Sequence, residues 1–202
     1  DKYIHISELS GNAIFDNSNN EKKIASTNLN FKTNNIDIKN SAFEIKVKDN
    51  LAQSFKLKLN KLNIDAAEII INQTPFLEGL KSYLDDFNPT GDIQNLQLSW
   101  EKNKELIAAG SLINFGISSH NEFPGFNNLS ASFDIKNNRG FIDIESKNIT
   151  INQQDKLRTN LNFDSLNGLI KLDGDNYKFT NLLLNNNDLN LLTSGTVNLK
   201  NL

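Results

Sequence analysis

The sequence predicts a mainly β protein made of consecutive antiparallel strands. Apolar and polar residues alternate along much of the chain, for example at Phe133 and Ile135. Because successive side chains of a strand point to opposite faces, this alternation predicts a sheet with one apolar and one polar face. Turn-forming segments at 137–140 (Asn-Asn-Arg-Gly) and 173–176 (Asp-Gly-Asp-Asn) separate the alternating runs, which indicates hairpins between neighbouring strands.

One alternating run contains a break in its period. Ile93 lies three residues before Leu96, whereas Leu96 and Leu98 are two residues apart. The strand is therefore expected to shift its register at this point.

Two short helices are predicted near residues 65–88. Asp65 is followed three residues later by Glu68, which resembles a capping box at a helix start. A second helix is expected to begin at Thr74, with Pro75 in its first turn, where the missing N–H is not needed. The segment 88–91 (Asn-Pro-Thr-Gly) should end it.

Length, charge and cysteine content limit the functional classes. The chain has 202 residues, a net charge of -3 and no cysteine. Without a surplus of positive charge it is not expected to bind nucleic acid. The absence of cysteine excludes disulfides and thiolate chemistry. The sequence also lacks Met, even at position 1, so we expect a piece of a longer polypeptide with any targeting element elsewhere.

Residues suited to catalysis or metal binding do not form a recognisable pattern. The only histidines, His5 and His120, have no partner at metal-ligand spacing. Asp134, Asp143 and Glu145 occupy polar positions of alternating runs, where solvated carboxylates are common. We therefore predict no catalytic residue, no metal and no cofactor.

The segment that begins at Asp173 resembles the start of a calcium-binding loop. Tyr177, however, stands where the next oxygen ligand belongs, and the closing Glu is missing. A hairpin turn is the better interpretation of this segment.

Three similar triplets suggest an internal repeat. Each consists of Leu, a small polar residue and a small residue, at 9–11, 129–131 and 166–168. The spacing of the last two is typical of a repeated unit of about three strands. Chance matches in a chain rich in Leu and Asn remain an equal alternative, and the abundance of Asn, Lys and Ile itself suggests a codon bias.

A series of landmarks runs from residue 55 to residue 202. They are Leu59, Leu62, Ile64 and Asp65 before the helical pair with Pro75; 88–93 opening a strand that ends at Trp100; 123–131 with the hairpin to Ile144; and 163–168 before another hairpin. Their order resembles the AsmA-like region of YhdP-type proteins, whereas residues 1–54 share only the general strand pattern of that region. We therefore divide the chain into a β repeat segment, 1–54, and an AsmA-like β-groove region, 55–202, with a helical insertion at 65–88.

The resemblance implies a curved antiparallel sheet that forms a repeating β-groove with an apolar interior. It also implies a periplasmic, non-enzymatic segment whose parent protein is anchored in the inner membrane of a Gram-negative bacterium. The expected partners are phospholipid, whose acyl chains would pass along the groove between inner and outer membrane, and the membrane itself through other parts of the parent protein. Alternation fixes which residues share a face but not which face is concave. The candidate groove-lining residues are Phe133, Ile135, Ile142, Ile144, Ile170, Leu172, Phe179 and Val197.

Two other functions fit parts of the pattern. One is a β-solenoid or β-sandwich binding module of a surface adhesin, whose polar outer face would contact glycans or protein. An interior sealed by the sheet itself would favour this alternative. The other is a hydrolase with paired carboxylates, for which the sequence shows no convergent pair.

Overall fold

The computed structural model describes residues 5–18, 20–34, 36–64, 84–103, 106–153, 159–198 and 200. These residues form one sheet of eleven strands, in which each strand pairs antiparallel with its neighbours in sequence. The predicted mainly β, antiparallel fold is therefore confirmed. The strands are β1 (Glu8–Ser18), β2 (Glu21–Lys32), β3 (Asp37–Lys48), β4 (Leu51–Asn63), β5 (Thr90–Glu101), β6 (Ile107–Ile117), β7 (Gly125–Lys136), β8 (Arg139–Asn152), β9 (Leu161–Asp173), β10 (Asn176–Asn185) and β11 (Asn190–Asn198).

Between β4 and β5 the described chain includes one helical turn at residues 84–87. The rest of the two helices predicted near 65–88 falls on residues 65–83, which lie outside the described residues. The predicted division between residues 54 and 55 lies inside β4, so the described sheet is continuous across it.

The described strands form a single layer. Each strand packs extensively only against the strands that precede and follow it. β1 and β11 are the two edges and do not pair with each other, so the sheet stays open. A β-sandwich needs a second sheet facing the first, and neither that arrangement nor a stack of parallel strands occurs among these eleven strands.

Nearly every strand contains an interior residue with positive φ. Such residues occur in all strands except β4 and β11, and those that are not glycine are asparagine. Asparagine tolerates this left-handed region better than other residues with a Cβ. Leaving aside Gly91 and Gly140, which are the second residues of their strands, we call this set the bulge line; it comprises Gly11, Asn28, Asn40, Asn95, Asn114, Asn128, Asn148, Gly168 and Asn181.

Glycine on an adjacent strand faces many of these asparagines. At these places the register shifts, because two residues of one strand lie opposite a single glycine of the next. A Cβ on Gly91 would lie 2.7 Å from the backbone oxygen of Asn114, so a larger residue would not fit there. The pairs are Asn28 with Gly11, Asn95 with Gly110, Asn114 with Gly91, Asn128 with Gly116, and Asn181 with Gly168.

Side chains from the next strand satisfy backbone N–H groups that a bulge removes from the regular ladder. The N–H of Asn114 donates to Ser130 Oγ at 3.2 Å, and the N–H of Asn181 donates to Ser194 Oγ at 3.0 Å. Since a bulge bends its strand and increases its twist, bulges repeated on nine of the eleven strands curl the sheet.

The bulge line also explains the repeated triplets. Segments 129–131 and 166–168 lie inside β7 and β9, beside Asn128 and at Gly168 respectively. Only β8 lies between these strands, so the repeat covers two strands and the predicted unit of about three strands is wrong.

The most buried apolar side chains are distributed over several strands. Ile149 and Phe163 are cross-strand partners on β8 and β9, and Ile144 lies five residues before Ile149 on β8. Ile38 and Leu59, on β3 and β4, belong to a hydrophobic cluster nearer the β1 edge of the sheet. The core is therefore spread along the curl instead of lying between two layers.

Replacing Asn181 tests the bulge line. Asn181→Val should lower the free energy of unfolding by about 1–2 kcal/mol, because a β-branched residue is strained at positive φ. Asn181→Gly should leave stability unchanged or raise it slightly. Urea unfolding measures both, with Asn185→Val on the same strand as the control at an extended residue. Equal losses at both positions would contradict this role for Asn181.

Candidate functional site

One continuous row of uncharged side chains crosses the sheet from edge to edge. Cross-strand partners of an antiparallel pair share a face, so the register defines this row residue by residue. Apart from one serine and one tyrosine, its members are apolar or glycine. This apolar row consists of Ala13, Ser26, Phe43, Leu57, Leu98, Ala108, Ile135, Gly140, Leu172, Tyr177 and Val197.

All candidate groove-lining residues lie on the face of the apolar row, called here the apolar face. Ile135, Leu172 and Val197 belong to the row itself. Four other candidates lie two residues from the apolar row along their strands, and Ile144 lies four residues from it. Phe133 pairs with Ile142, Ile142 with Ile170, and Ile170 with Phe179. Ile144 follows Ile142 at the next position of that face.

The opposite face is polar and carries ion pairs. Lys23 Nζ lies 2.8 Å from Glu44 Oε2, and Arg139 Nε lies 2.9 Å from Asp173 Oδ1. Lys56 pairs with Glu44 across β3 and β4 and extends the first of these groups. The two faces therefore differ in the ligands they can bind, because the apolar row is uncharged from edge to edge whereas the opposite face carries paired charges.

Burial along the apolar face varies from centre to edge. Leu172 and Ile144 are 7% and 6% exposed, and most other central residues of the face are half-buried. On β1, in contrast, Phe15 is 68% exposed. Among the described residues each strand packs extensively only against its neighbours in sequence, so the side chains from the described chain that surround these central residues come from adjacent strands of the same face. The greater burial of this apolar face indicates that it is the inner side of the curl, and we call it the trough.

The hydrogen bond from Lys23 holds the pKa of the Glu44 carboxyl below its ordinary value, although desolvation acts in the opposite direction. The same bond raises the pKa of Lys23. Both groups lie on the polar face and are partly open to solvent. They stabilise the charged state of that face and do not enter the trough.

The two histidines lie in separate parts of the described chain. His120 packs against the ring of Phe87, with centroids 5.6 Å apart, in a turn that precedes β7. His5 is exposed near the described N-terminus. No group of three or more His, Asp or Glu residues that could hold a metal ion occurs among the described residues.

Two glycines of the apolar face were not among the lining residues predicted from the sequence. Gly110 lies opposite Phe133, and Gly195 lies opposite Phe179. A glycine inside a strand can indicate close approach of another group. The identity of that group requires the register, which the alternation alone does not supply.

Together the fold and the trough define a β-groove protein: a single curled antiparallel sheet that is not closed into a barrel and has one apolar and one polar face. A family model described as YhdP protein matches residues 2–201, and the chain belongs to this YhdP family. The family is associated with lipid transport, and membership is consistent with a protein of the cell envelope. The match includes residues 2–54, where the sequence shares only the general strand pattern.

No curated protein and no solved structure gave a significant match to the chain. Within the described ranges, no helix has the length and apolar character needed to cross a membrane.

The Lys23–Glu44 pair predicts a pH-dependent contribution to stability. Because the pKa of Glu44 is lowered by folding, this contribution is present above the ordinary carboxyl pKa of about 4.3 and is lost as pH falls through the folded value. Because the pKa of Lys23 is raised, the contribution is also lost as pH rises past about 10.4 and through its folded value.

Lys23→Met should therefore lower the free energy of unfolding at neutral pH. The difference in this free energy between the variant and the original chain should become smaller at acidic pH and at strongly alkaline pH. Urea unfolding between pH 3 and neutral pH tests the acid side. Lys58→Met removes one positive charge from the same face and serves as the control. If the loss of unfolding free energy in Lys23→Met is the same at every pH, the stabilising role of the Lys23–Glu44 ion pair is contradicted.

Proposed function

We propose that this chain is a segment of a periplasmic lipid-transfer bridge, whose apolar groove conducts phospholipid acyl chains between the inner and the outer membrane. The observation that supports this proposal is the apolar row, which continues across all eleven strands without a charged residue. The described strands contribute no second layer to cover it. Membership in a family associated with lipid transport points in the same direction.

The physical reason is the cost of exposing acyl chains to water. Each exposed methylene costs about 0.8 kcal/mol, so a diacyl lipid crossing an aqueous space needs continuous apolar cover. Measured along the row, eleven strands at about 4.8 Å spacing extend over roughly 50 Å, whereas a bilayer core is about 30 Å thick. Such a length suits a conduit better than a carrier of one molecule.

The polar face and the open side of the trough complete the proposed arrangement. Lipid head groups remain toward solvent while the acyl chains contact the apolar face. Membrane attachment is supplied by parts of the parent protein outside this chain. The segment acts as a passive surface in this role and performs no chemistry on the lipid.

Lipid analysis of the purified chain tests the proposal directly. Mass spectrometry of an organic extract should show co-purifying phospholipid, since the apolar face would otherwise remain in contact with water. A chain that carries no phospholipid, and takes up none from phosphatidylethanolamine–phosphatidylglycerol vesicles, would contradict the proposal. An adhesin module or a hydrolase predicts no bound phospholipid.

A pair of substitutions on β9 separates groove lining from general stability. Ile170→Asp places a charge on the half-buried apolar face and should abolish or strongly reduce lipid uptake. Leu169→Asp places the same charge on the opposite face, where Leu169 is 40% exposed, and should leave uptake intact. Uptake of fluorescent phospholipid from vesicles measures the effect, and circular dichroism checks folding. Equal uptake by both variants would count against the apolar face as the lipid site.

A further inference from the structure

The first strand, β1, is an edge strand that lacks the usual protection against pairing. Its outer side has no partner among the described residues, and all eleven of its residues are exposed. Natural edge strands commonly carry proline or lysine, which discourage pairing with another chain. β1 contains neither, and its only charged residues, Glu8 and Asp16, lie near its ends. The backbone groups on its outer side are therefore available to another strand.

Large apolar side chains of β1 remain in contact with water. Leu9 and Phe15 are 64% and 68% exposed on the apolar face, and Ile14 is 55% exposed on the opposite face. A strand added beside β1 would cover part of each side chain in addition to pairing with the backbone. The edge therefore combines the backbone and side-chain features of a pairing site.

The sequence of β1 is complementary to a second copy of itself. Consider a two-fold axis perpendicular to the sheet that passes between the Ala13 residues of two copies. Their β1 strands then run antiparallel, and the apolar faces of both copies lie on the same side. Phe15 of each copy faces Gly11 of the other, two residues from the axis. Registers shifted by one residue would instead join the apolar face of one copy to the polar face of the other.

The pairing of a phenylalanine with a glycine already occurs twice inside the sheet. The two interior pairs are Phe133 with Gly110 and Phe179 with Gly195. In both, ring atoms lie about 3 Å from the place that a glycine Cβ would occupy, so the ring covers the glycine. An aromatic ring opposite a glycine stabilises a strand pair in this way. In the two-fold arrangement, Phe15 would cover Gly11 of the second copy likewise.

Charge favours this register over a neighbouring one. If Gly11 paired with Ala13 of the second copy, Asp16 would lie directly opposite Glu8, twice by symmetry. Like charges directly opposite each other destabilise a strand pair. With Ala13 on the axis, Asp16 faces Ser10 instead and the carboxylates are separated.

We infer that β1 is a homodimer interface, in which two copies of the chain pair their β1 strands antiparallel with Ala13 on the two-fold axis. Ala13 is the end of the apolar row at this edge, so the row continues directly into the second copy. The dimer doubles the number of strands in one continuous sheet and joins the two troughs. The inference does not require bound lipid.

Disulfide formation between single introduced cysteines tests the register. The chain has no cysteine, so a disulfide in a single-cysteine variant must join two copies. In Ala13→Cys the thiols face each other as a cross-strand pair, and mild oxidation should convert most of the chain to a linked dimer. Asn17→Cys, exposed on the same strand and face, is the control, because its cysteines would lie about 27 Å apart. Equal yields from both variants would contradict the interface.

Charge at Ser10 tests the same register without a covalent bond. Because Ser10 faces Asp16 of the second copy, Ser10→Lys should lower the dimer Kd about fivefold and Ser10→Glu should raise it by a similar factor. Thr196→Lys and Thr196→Glu place the same charges on β11, at the opposite edge, and should leave Kd unchanged. Sedimentation velocity over a concentration series measures Kd, and circular dichroism checks folding.

The outcomes separate this inference from the proposed function. A chain that stays monomeric throughout the concentration series, or a Kd that responds at Thr196 as strongly as at Ser10, overturns the β1 interface while the lipid-transfer proposal stands. A chain that forms the Ala13→Cys linked dimer but takes up no phospholipid overturns the lipid-transfer proposal alone.

Discussion

The curl of this sheet depends on the contact between a left-handed asparagine on one strand and a glycine on the next. At Asn114 and Gly91, and again at Asn181 and Gly168, two residues of one strand lie against one residue of its neighbour. A side chain on the glycine would collide with backbone atoms, and a β-branched residue in place of the asparagine would be strained. The bend is thus built from backbone conformation, and the apolar face becomes a trough without support from a second layer of the described chain.

Once the sheet is bent, the alternation of side chains determines what each surface can do. Every residue of the apolar row has a direct neighbour of similar character on the adjacent strand, so the hydrocarbon surface is continuous. Charges such as Lys23 and Glu44 remain on the other face, where they pair in contact with solvent. A continuous apolar surface is better suited to the movement of an acyl chain along it than to tight recognition of one head group.

Alternation in the sequence predicted the antiparallel fold and placed all the candidate lining residues on one face, because the period of a strand links sequence position to face directly. The break between Ile93 and Leu96 marked a real bulge at Asn95. The other bulges could not be predicted, because an asparagine in a hairpin and one inside a strand look alike until the pairing partner is known. The attribution of abundant asparagine to codon bias overlooked this role. The rings of Phe133 and Phe179 were identified, whereas the glycines beneath them depend on register.

Because each bend is made between adjacent strands, curvature accumulates locally. An additional hairpin with its own asparagine and glycine would extend the trough without altering the strands already present. The distance that such a protein spans can therefore change through duplication of hairpins, while its cross-section stays constant. The length of the groove and its cross-section can therefore change independently in this architecture.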